Sequence, residues 1–591
     1  MECAQEDEQV YLSIKGGLQT IPIIIGTSEA CERIVSAAIS TNIIIYLTKE
    51  YHMGAATSAV VIFIYQAATN FLPILGAIVS DGLLGRFLTI QLTLFACTIV
   101  RSNYSIILKL FSLTYGTVLL WLTTMIPQLV TDNCGINTQS NHACHSPTTL
   151  QLFVLFTSLA FLSIGASGVR PCTLAFGIDQ FVHLSGAEKD RALKVLFDWY
   201  FVSLGGSQII SLTLLVYLQD KIGWKVGFAI PVVLMALVTI LNTAASPLYI
   251  KVKPQKSIWV SLVQVIFAAI KNRRIQFPQE GNGVQYHNTR GRAMVPSRKI
   301  RFLNKACVIR MHADSSDTEV FTTNQWNVCT VEQVEDIKQT LNVVPLWSAM
   351  IISLLIQQSQ SFRVLQADTM DRRVGATNFQ IPAGSIPIFE VITFTLWSGC
   401  YDKYIIPFLQ KITGRETVLS HKQRMGIGLI FSIATAFAAS VVEATRRNKA
   451  IRQGLEYNAN GTVSMSAMWL APQCVFSGLT SAFGSVGQIE FYYSVLPKTM
   501  GSLALALLLL ATGIANIAAT VIVKLVKTAT TVGGREGWLS DNLNQGHYDY
   551  YCFLLALLGI ANFMYFLACC YWFEEPIPNQ LVESHDEDEE I

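Results

Sequence analysis

Apolar segments of bilayer-spanning length recur from one end of this chain to the other, and that recurrence leaves few folds open to it. A transmembrane helix needs about 20 consecutive apolar residues. Windows of that length fall near 18–47, 55–79, 87–130, 149–170, 193–217, 226–249, 342–362, 381–407, 424–444, 466–490, 500–525 and 549–573. Composition agrees: 51% of residues are hydrophobic and 14% charged, against about a quarter charged in an ordinary soluble domain. The 591 residues therefore read as one polytopic, all-α membrane protein rather than several soluble domains. The acidic opening MECAQEDEQV, and a first apolar segment that is long and interrupted by charge, do not read as a cleavable signal peptide.

The twelve windows divide six plus six. Residues 1–249 are read as an N-terminal bundle, 250–341 as an interdomain loop, 342–573 as a C-terminal bundle and 574–591 as an acidic tail. Lys251, Lys253, Lys256, Lys271, Arg273, Arg274 and further Arg and Lys residues make the interdomain loop basic, which places it and both termini in the cytosol. The run RRNKAIRQG at 446–454 disputes this, since it would lie in an outer loop. Against it stand a glycosylation sequon at Asn460 in the same loop, and the loop 131–148, which has no Lys or Arg and holds Cys134 and Cys144, a plausible disulfide on an oxidising face. Other cysteines, including Cys31, Cys172, Cys474 and Cys552, lie in apolar segments, where Cys behaves as a small hydrophobe. No zinc spacing occurs, and the nine His fall outside the windows, which counts against a membrane metalloenzyme.

Glu29, Glu32 and Arg33 sit inside the first window. Each costs roughly 2.5–3.5 kcal/mol to insert, so all three must face protein, water or each other. Their spacing puts them on one helix face. Arg stays charged while two adjacent carboxylates titrate as a coupled set, so the trio can trade a proton; the alternative is a structural ion triad. Further charges lie at other span ends. Arg170 precedes Pro171 at the end of the fourth window, and Glu490 lies in apolar surroundings in the tenth. They come from opposite halves, and pairing would satisfy both. In GAIVSDGLLGR, Asp81, Gly85 and Arg86 have the spacing of the loop signature of the major facilitator superfamily; glycine permits a tight turn and the charges can latch helix ends.

Taken in order, Glu29-x-x-Glu32-Arg33, Asp81 to Arg86, PCTLAFGIDQF (171–181), FDWYF (197–201), RFLNKA (301–306), LQADTMDR (365–372), RRNKAI (446–451), GQIEF (487–491) and DNLNQGHYDYY (541–551) resemble the plant nitrate/peptide transporters, a branch of the proton-coupled oligopeptide transporters. The resemblance covers nearly the whole chain. It implies a twelve-helix major facilitator fold, six plus six helices around a central cavity, working by alternating access. It also implies that Glu29, Glu32 and Arg33 couple protons to transport and that a fourth-span cation paired with Glu490 joins substrate to the gate.

Departures bear on substrate. Ile34, Val35, Ser36 and Ala37 stand where the family continues with aromatics associated with peptides. The fourth-span cation is Arg170 rather than Lys, suited to bidentate anion binding and poor as a proton relay. Gln357 is aligned with a His that binds anion in a nitrate transporter of the family. Glu390, outside the family pattern, is read as a helix-end residue over a coupling site. Thr89 matches a family phosphorylation position, where phosphate would add charge beside Arg86, but an ordinary helix-start residue is the favoured reading. Residues 101–115 interrupt the third window with Arg101 and Lys109; these charges have no evident partners, which favours a gene-model error such as retained intron over a bulge.

The expected function is a proton-coupled symporter of nitrate or a similar small anion, bound near Arg170, Gln357 and Glu490, at the plasma membrane of a plant cell. The alternatives are a hormone or specialised-metabolite carrier and a weakly conducting sensor. No nucleophile and base pair points to an enzyme. Expected partners are the solute, protons and lipid, with no cofactor, metal or nucleic acid; the oligomeric state stays open.

Overall fold

The computed structural model describes residues 17–80, 84–94, 113–129, 147–252, 258–274, 286–287, 295–297, 300–308, 326, 328–375, 379–414, 419–458, 461–496, 501–531 and 537–573. Asp81, Arg101, Lys109, Cys134, Cys144, Asn460 and the acidic tail lie outside the described residues.

Among the described residues, ten helices are long and apolar enough to cross a membrane. In the N-terminal half these are the first span (Ile21–Lys49), second (Ala55–Val79), fourth (Thr149–Asp179), fifth (Gly186–Lys221) and sixth (Trp224–Ala244). In the C-terminal half they are the seventh (Val331–Asp368), eighth (Ala383–Cys400), ninth (His421–Arg452), eleventh (Leu505–Thr530) and twelfth (Tyr548–Trp572). Arg86–Leu94 and Leu113–Met125 are the described parts of the third span. The tenth joins Ala471–Thr480 to Val486–Val495 through a wide π-helical turn, Ser481–Ser485.

Local sequence sets several starts. Thr148 with Gln151, Thr330 with Gln333 and Ser420 with Gln423 form reciprocal capping boxes, each satisfying two backbone donors that a helix start leaves open. Pro73, Pro171, Pro231 and Pro345 all sit inside helices. Each removes a backbone donor, which a packed membrane bundle tolerates because neighbours re-satisfy the freed carbonyl.

Within the N-terminal half, Tyr46 packs edge-on against Phe228 and Tyr51 and beside Trp224, fixing the first span to the sixth. Between halves, the second and eleventh spans lie together. Ala511, Ala515 and Ala519 are fully buried at helical spacing, and a Cβ on Gly513 would come within 2.9 Å of the Phe71 ring. Small side chains let membrane helices approach closely where apolar transfer supplies no drive. The halves also meet at the end of the first span, where Lys49 Nζ lies 2.7 Å from Asp368 Oδ2 and Arg372 Nη1 lies 3.8 Å from Asp220 Oδ1. Ser385 Oγ donates to the Leu212 carbonyl at 2.5 Å, and a two-residue strand, Met370–Asp371, pairs in parallel with Val463–Ser466 on the same face.

Two boundaries differ from the sequence reading, the first through apolar packing outside the membrane window and the second through a buried ion pair. The seventh helix starts at Val331 and not near 342, because its first turns are amphipathic: Val331, Val334 and Ile337 pack with Leu303, Ala306, Cys307 and the interdomain helix Ile258–Lys271. The run RRNKAI is not an exposed loop but the end of the ninth helix. Arg446 and Glu443 are both fully buried, with Nη2 to Oε1 at 2.8 Å. Arg446 also donates to Asn544 Oδ1, Thr369 Oγ1 and the Leu543 carbonyl, and Gln366 Nε2 donates to Glu443. One of the charges that disputed the orientation is therefore an internal, neutralised one.

Candidate functional site

The first span does not run as a uniform α-helix. Residues Ile24–Ala30 form a wide π-helical segment, and regular α-helix resumes at Cys31. Such turns recur at functional positions because they re-aim side chains. Asn242 of the sixth span donates to Ser28 Oγ at 2.6 Å and ties this segment in place.

Glu29 and Glu32 both point inward with no exposed surface. Arg33 Nε donates to Glu29 Oε1 at 2.8 Å and lies 3.9 Å from Glu32 Oε2. From the fourth span, Arg170 reaches the same carboxylate: Nη2 and Nε lie 3.1 and 3.2 Å from Glu32 Oε1, and Nη2 donates to Ser36 Oγ at 2.7 Å. Glu32 is thus held between two guanidiniums. Glu29 Oε2 and Glu32 Oε2 accept no hydrogen bond among the described residues. A buried carboxylate with one unshared oxygen has a place to take a proton, and its charged form is sustained only by adjacent cations. Two tyrosines absent from the sequence reading border the cluster. Tyr65 of the second span lies against Ser36, Ser40 and Arg170, and Tyr200 of the fifth lies against Arg33 and Glu29. Tyr200 belongs to FDWYF, so the motif held a signal; Tyr65 left none in an apolar run.

Arg170 and Glu490 do not pair. Arg170 is satisfied within its own half by Glu32, while Glu490 of the tenth span receives both of its close contacts from Arg424 of the ninth, at 2.7 and 2.6 Å. Arg424 stacks its guanidinium 4.3 Å from the Tyr401 ring centroid, and His421 Nδ1 is 3.7 Å from Glu490. The sequence error has a simple cause. An opposite charge within the same half shields each group at less cost than spanning the gap between halves. Arg424 stands in HKQRMG in the first turn of the ninth helix, and the sequence reading did not single it out. A double-mutant cycle follows. Arg424→Gln and Glu490→Gln should couple by about 0.5–3 kcal/mol in unfolding free energy, and Arg170→Gln with Glu490→Gln should be additive. Thermal unfolding in detergent measures both.

Gln357, in the seventh span just before a tighter turn at Ser359–Ser361, donates to Ser481 Oγ in the π turn of the tenth span at 3.0 Å. Glu390 lies in the first turn of the helix Ile388–Cys400, as the helix-end reading expects, and its Oε2 lies 3.1 Å from Arg363 Nη1, a cation the sequence reading passed over. On the loop after the second span, Gly85 takes φ +80°, a region glycine adopts without strain. Arg86 Nη1 lies 2.5 Å from Asp179 Oδ1 and donates to the Ala175 carbonyl, latching the third span onto the end of the fourth. Thr89 is buried and donates to the Gly85 carbonyl at 3.0 Å, the bond of a helix-start threonine.

Residues 104–539 match the PTR2 domain of the POT family. Across 571 residues the chain is 40% identical to Protein NRT1/ PTR FAMILY 1.2 of Arabidopsis thaliana, covering 96% of this chain and 91% of that one. The chain belongs to the POT family. Protein NRT1/ PTR FAMILY 1.1 of Arabidopsis thaliana is 41% identical over 570 residues, covering 96% and 93%. Among solved structures, an auto-inhibited POT family peptide transporter superposes with a TM-score of 0.65 at 16% identity, covering 95% of this chain and 98% of that one. This POT protein is therefore a multi-pass, proton-coupled transporter and not an enzyme, with two six-helix halves around a central cavity.

Proposed function

We propose that this POT protein is a symporter of protons with nitrate or a similarly compact anion at a plant plasma membrane. The observation that carries the reading is the seating of Arg170 on Glu32. A guanidinium can hold a planar oxyanion through two parallel donors, and on Arg170 Glu32 already occupies Nε and Nη2. Protonation of Glu32 removes the competing charge and frees Arg170 for substrate. Proton and anion then enter as a pair, and loss of the proton returns Glu32 to Arg170 and expels the anion.

Ser36 adds a hydroxyl beside Arg170, and with Ala37 it leaves the wall without the aromatics that suit a peptide. Asp81, Gly85 and Arg86 serve in this reading as the inner loop latch, while Gln357 and Glu490 lie on the opposite wall. Residues 1–249 and 331–573 rock against each other, joined by the segment that ends at the seventh-helix start Val331, with the contacts around Lys49 and Asp368 closing the outer side. A substrate panel in oocytes at acidic and neutral external pH tests the reading. Labelled nitrate should accumulate in a saturable, acid-stimulated way, whereas dipeptide or hormone uptake without nitrate would replace it.

Outer closure depends on close backbone approach. A Cβ on Gly384 of the eighth span would sit 2.7 Å from Asn42 Oδ1 and 3.0 Å from Val216 Cγ1. Gly384→Val should therefore hold the halves apart on that face. The expected result is at least severalfold lower uptake with surface delivery retained, and higher reactivity of an engineered cysteine at the first-span end.

A further inference from the structure

Arg363 and Glu390 form an ion pair that the coupling cluster does not use. Arg363 is 2% exposed and donates from Nη1 to Glu390 Oε2 at 3.1 Å and to Cys474 Sγ at 2.9 Å. Its Nε is buried with no hydrogen-bond partner among the described residues. The Glu390 side chain, by contrast, is 27% exposed. A guanidinium offers five donors in a fixed fork, and leaving a buried one unused is unfavourable. The structural pair Arg446–Glu443 is built differently: both members are fully enclosed and Arg446 reaches four separate acceptors. Arg363 has an under-used fork and a partner that reaches accessible space.

Depth places this pair opposite the coupling cluster. Asn42 of the first span abuts Gly384 of the eighth. Ser36 lies six positions before Asn42, and Glu390 six positions after Gly384. The first span runs away from the closed face toward lower residue numbers and the eighth toward higher ones, so both displacements run in the same direction, by roughly 10 Å at helical rise. Arg170 is bonded to Ser36, so the two arginine and glutamate pairs sit at similar depth on opposite walls.

We propose that Arg363 is a second anion-binding subsite, in which an oxyanion or carboxylate of the substrate replaces the Glu390 carboxylate on the guanidinium once Glu390 takes a proton. This rests on the anion-symport reading above. Among the described residues, the groups that act on Glu390 are few. Arg363 of the seventh span and Cys474 of the tenth share its electrostatic environment. The fifth span meets the eighth through uncharged groups, Gly205 at Thr395 and the Leu212 carbonyl at Ser385. Further along the eighth span, Phe483 packs on Trp397 and Tyr401, and Arg424 lies over Tyr401, already committed to Glu490. The proton enters on Glu390, the anion takes its place on Arg363, and release of the proton reverses the exchange. Two charged walls then require a substrate small enough, or doubly functional enough, to be read from both sides.

The test uses the full-length protein purified in detergent, with sodium nitrate and sodium acetate as probes and thermal stabilisation as the binding readout, at acidic and neutral pH. Arg363→Gln should weaken anion affinity about tenfold at acidic pH, the scale of one lost charge-assisted contact. Glu390→Gln should tighten affinity about tenfold at neutral pH and leave it near wild type at acidic pH, while Glu390→Asp keeps the wild-type dependence. A purely structural role would lower the anion-free unfolding temperature of these variants without moving affinity. Unchanged affinity in Arg363→Gln, an unaltered pH dependence in Glu390→Gln, or a wild type that neither probe stabilises overturns the subsite. Uptake in liposomes separates the two claims. Binding through Arg363 without proton-driven accumulation sinks the symport reading alone, and normal coupled uptake with a silent Arg363→Gln sinks the subsite alone.

Discussion

Glu32→Gln should abolish acid-stimulated accumulation of substrate while the protein still reaches the membrane and still exchanges substrate across it. Glu32 is the carboxylate on which both cations of the cluster converge, with Arg170 at 3.1 Å and Arg33 at 3.9 Å. Gln keeps the shape and can accept from Arg170, but it carries no proton that could be released. A carrier locked in the protonated-like state can bring substrate through in both directions and cannot concentrate it. The expected loss is at least tenfold in concentrative uptake, with counterflow retained; labelled-substrate accumulation beside counterflow in liposomes measures both. Arg170→Gln should behave differently. It removes the closer of the two guanidiniums on Glu32 and the donor fork that the anion would use, so affinity should fall along with coupling.

The second large effect is on stability. Arg446→Ala should destabilise the C-terminal half by about 3–5 kcal/mol, because it strands Glu443 as an uncompensated charge in a site with no solvent exposure. It also leaves Asn544 Oδ1 and the Leu543 carbonyl without the donor that joins the eleventh-to-twelfth connection to the ninth helix. Replacing both members, Arg446→Met with Glu443→Leu, should cost much less than the single change, since two apolar groups need no partner. Thermal unfolding of the purified variants decides this; equal losses in the single and double variants would show that the network and not the unpaired charge sets the cost.

The parts of the fold that were legible in the sequence are those governed by local patterning. Spanning helices announce themselves by apolar length, and the second window, 55–79, coincides with the helix Ala55–Val79. Glu29, Glu32 and Arg33 could be grouped because helical spacing alone puts them on one face. Partners from other helices are a different matter. Nothing in the spacing of Arg170, Arg424 and Glu490 says which two meet, because that is settled by how whole helices pack. Arg363 was hidden in LLIQQSQSFRVLQAD as an unremarked charge near a span end, and only the fold brings Glu390 and Cys474 to it. Charge runs mislead for the same reason. RRNKAI reads as solvated loop until Glu443, one turn earlier in the helix, is seen to hold Arg446 in the interior.

Proton movement accompanying substrate entry tests the central claim most directly. Purified protein in liposomes with a trapped pH-sensitive dye should show interior acidification when nitrate is added outside, in step with labelled nitrate entry. The same addition to Glu32→Gln liposomes should produce no acidification while nitrate exchange continues. Nitrate-driven acidification of equal size in Glu32→Gln, or nitrate entry without any proton movement in the unaltered protein, would contradict the coupling of anion to proton through Glu32 and Arg170.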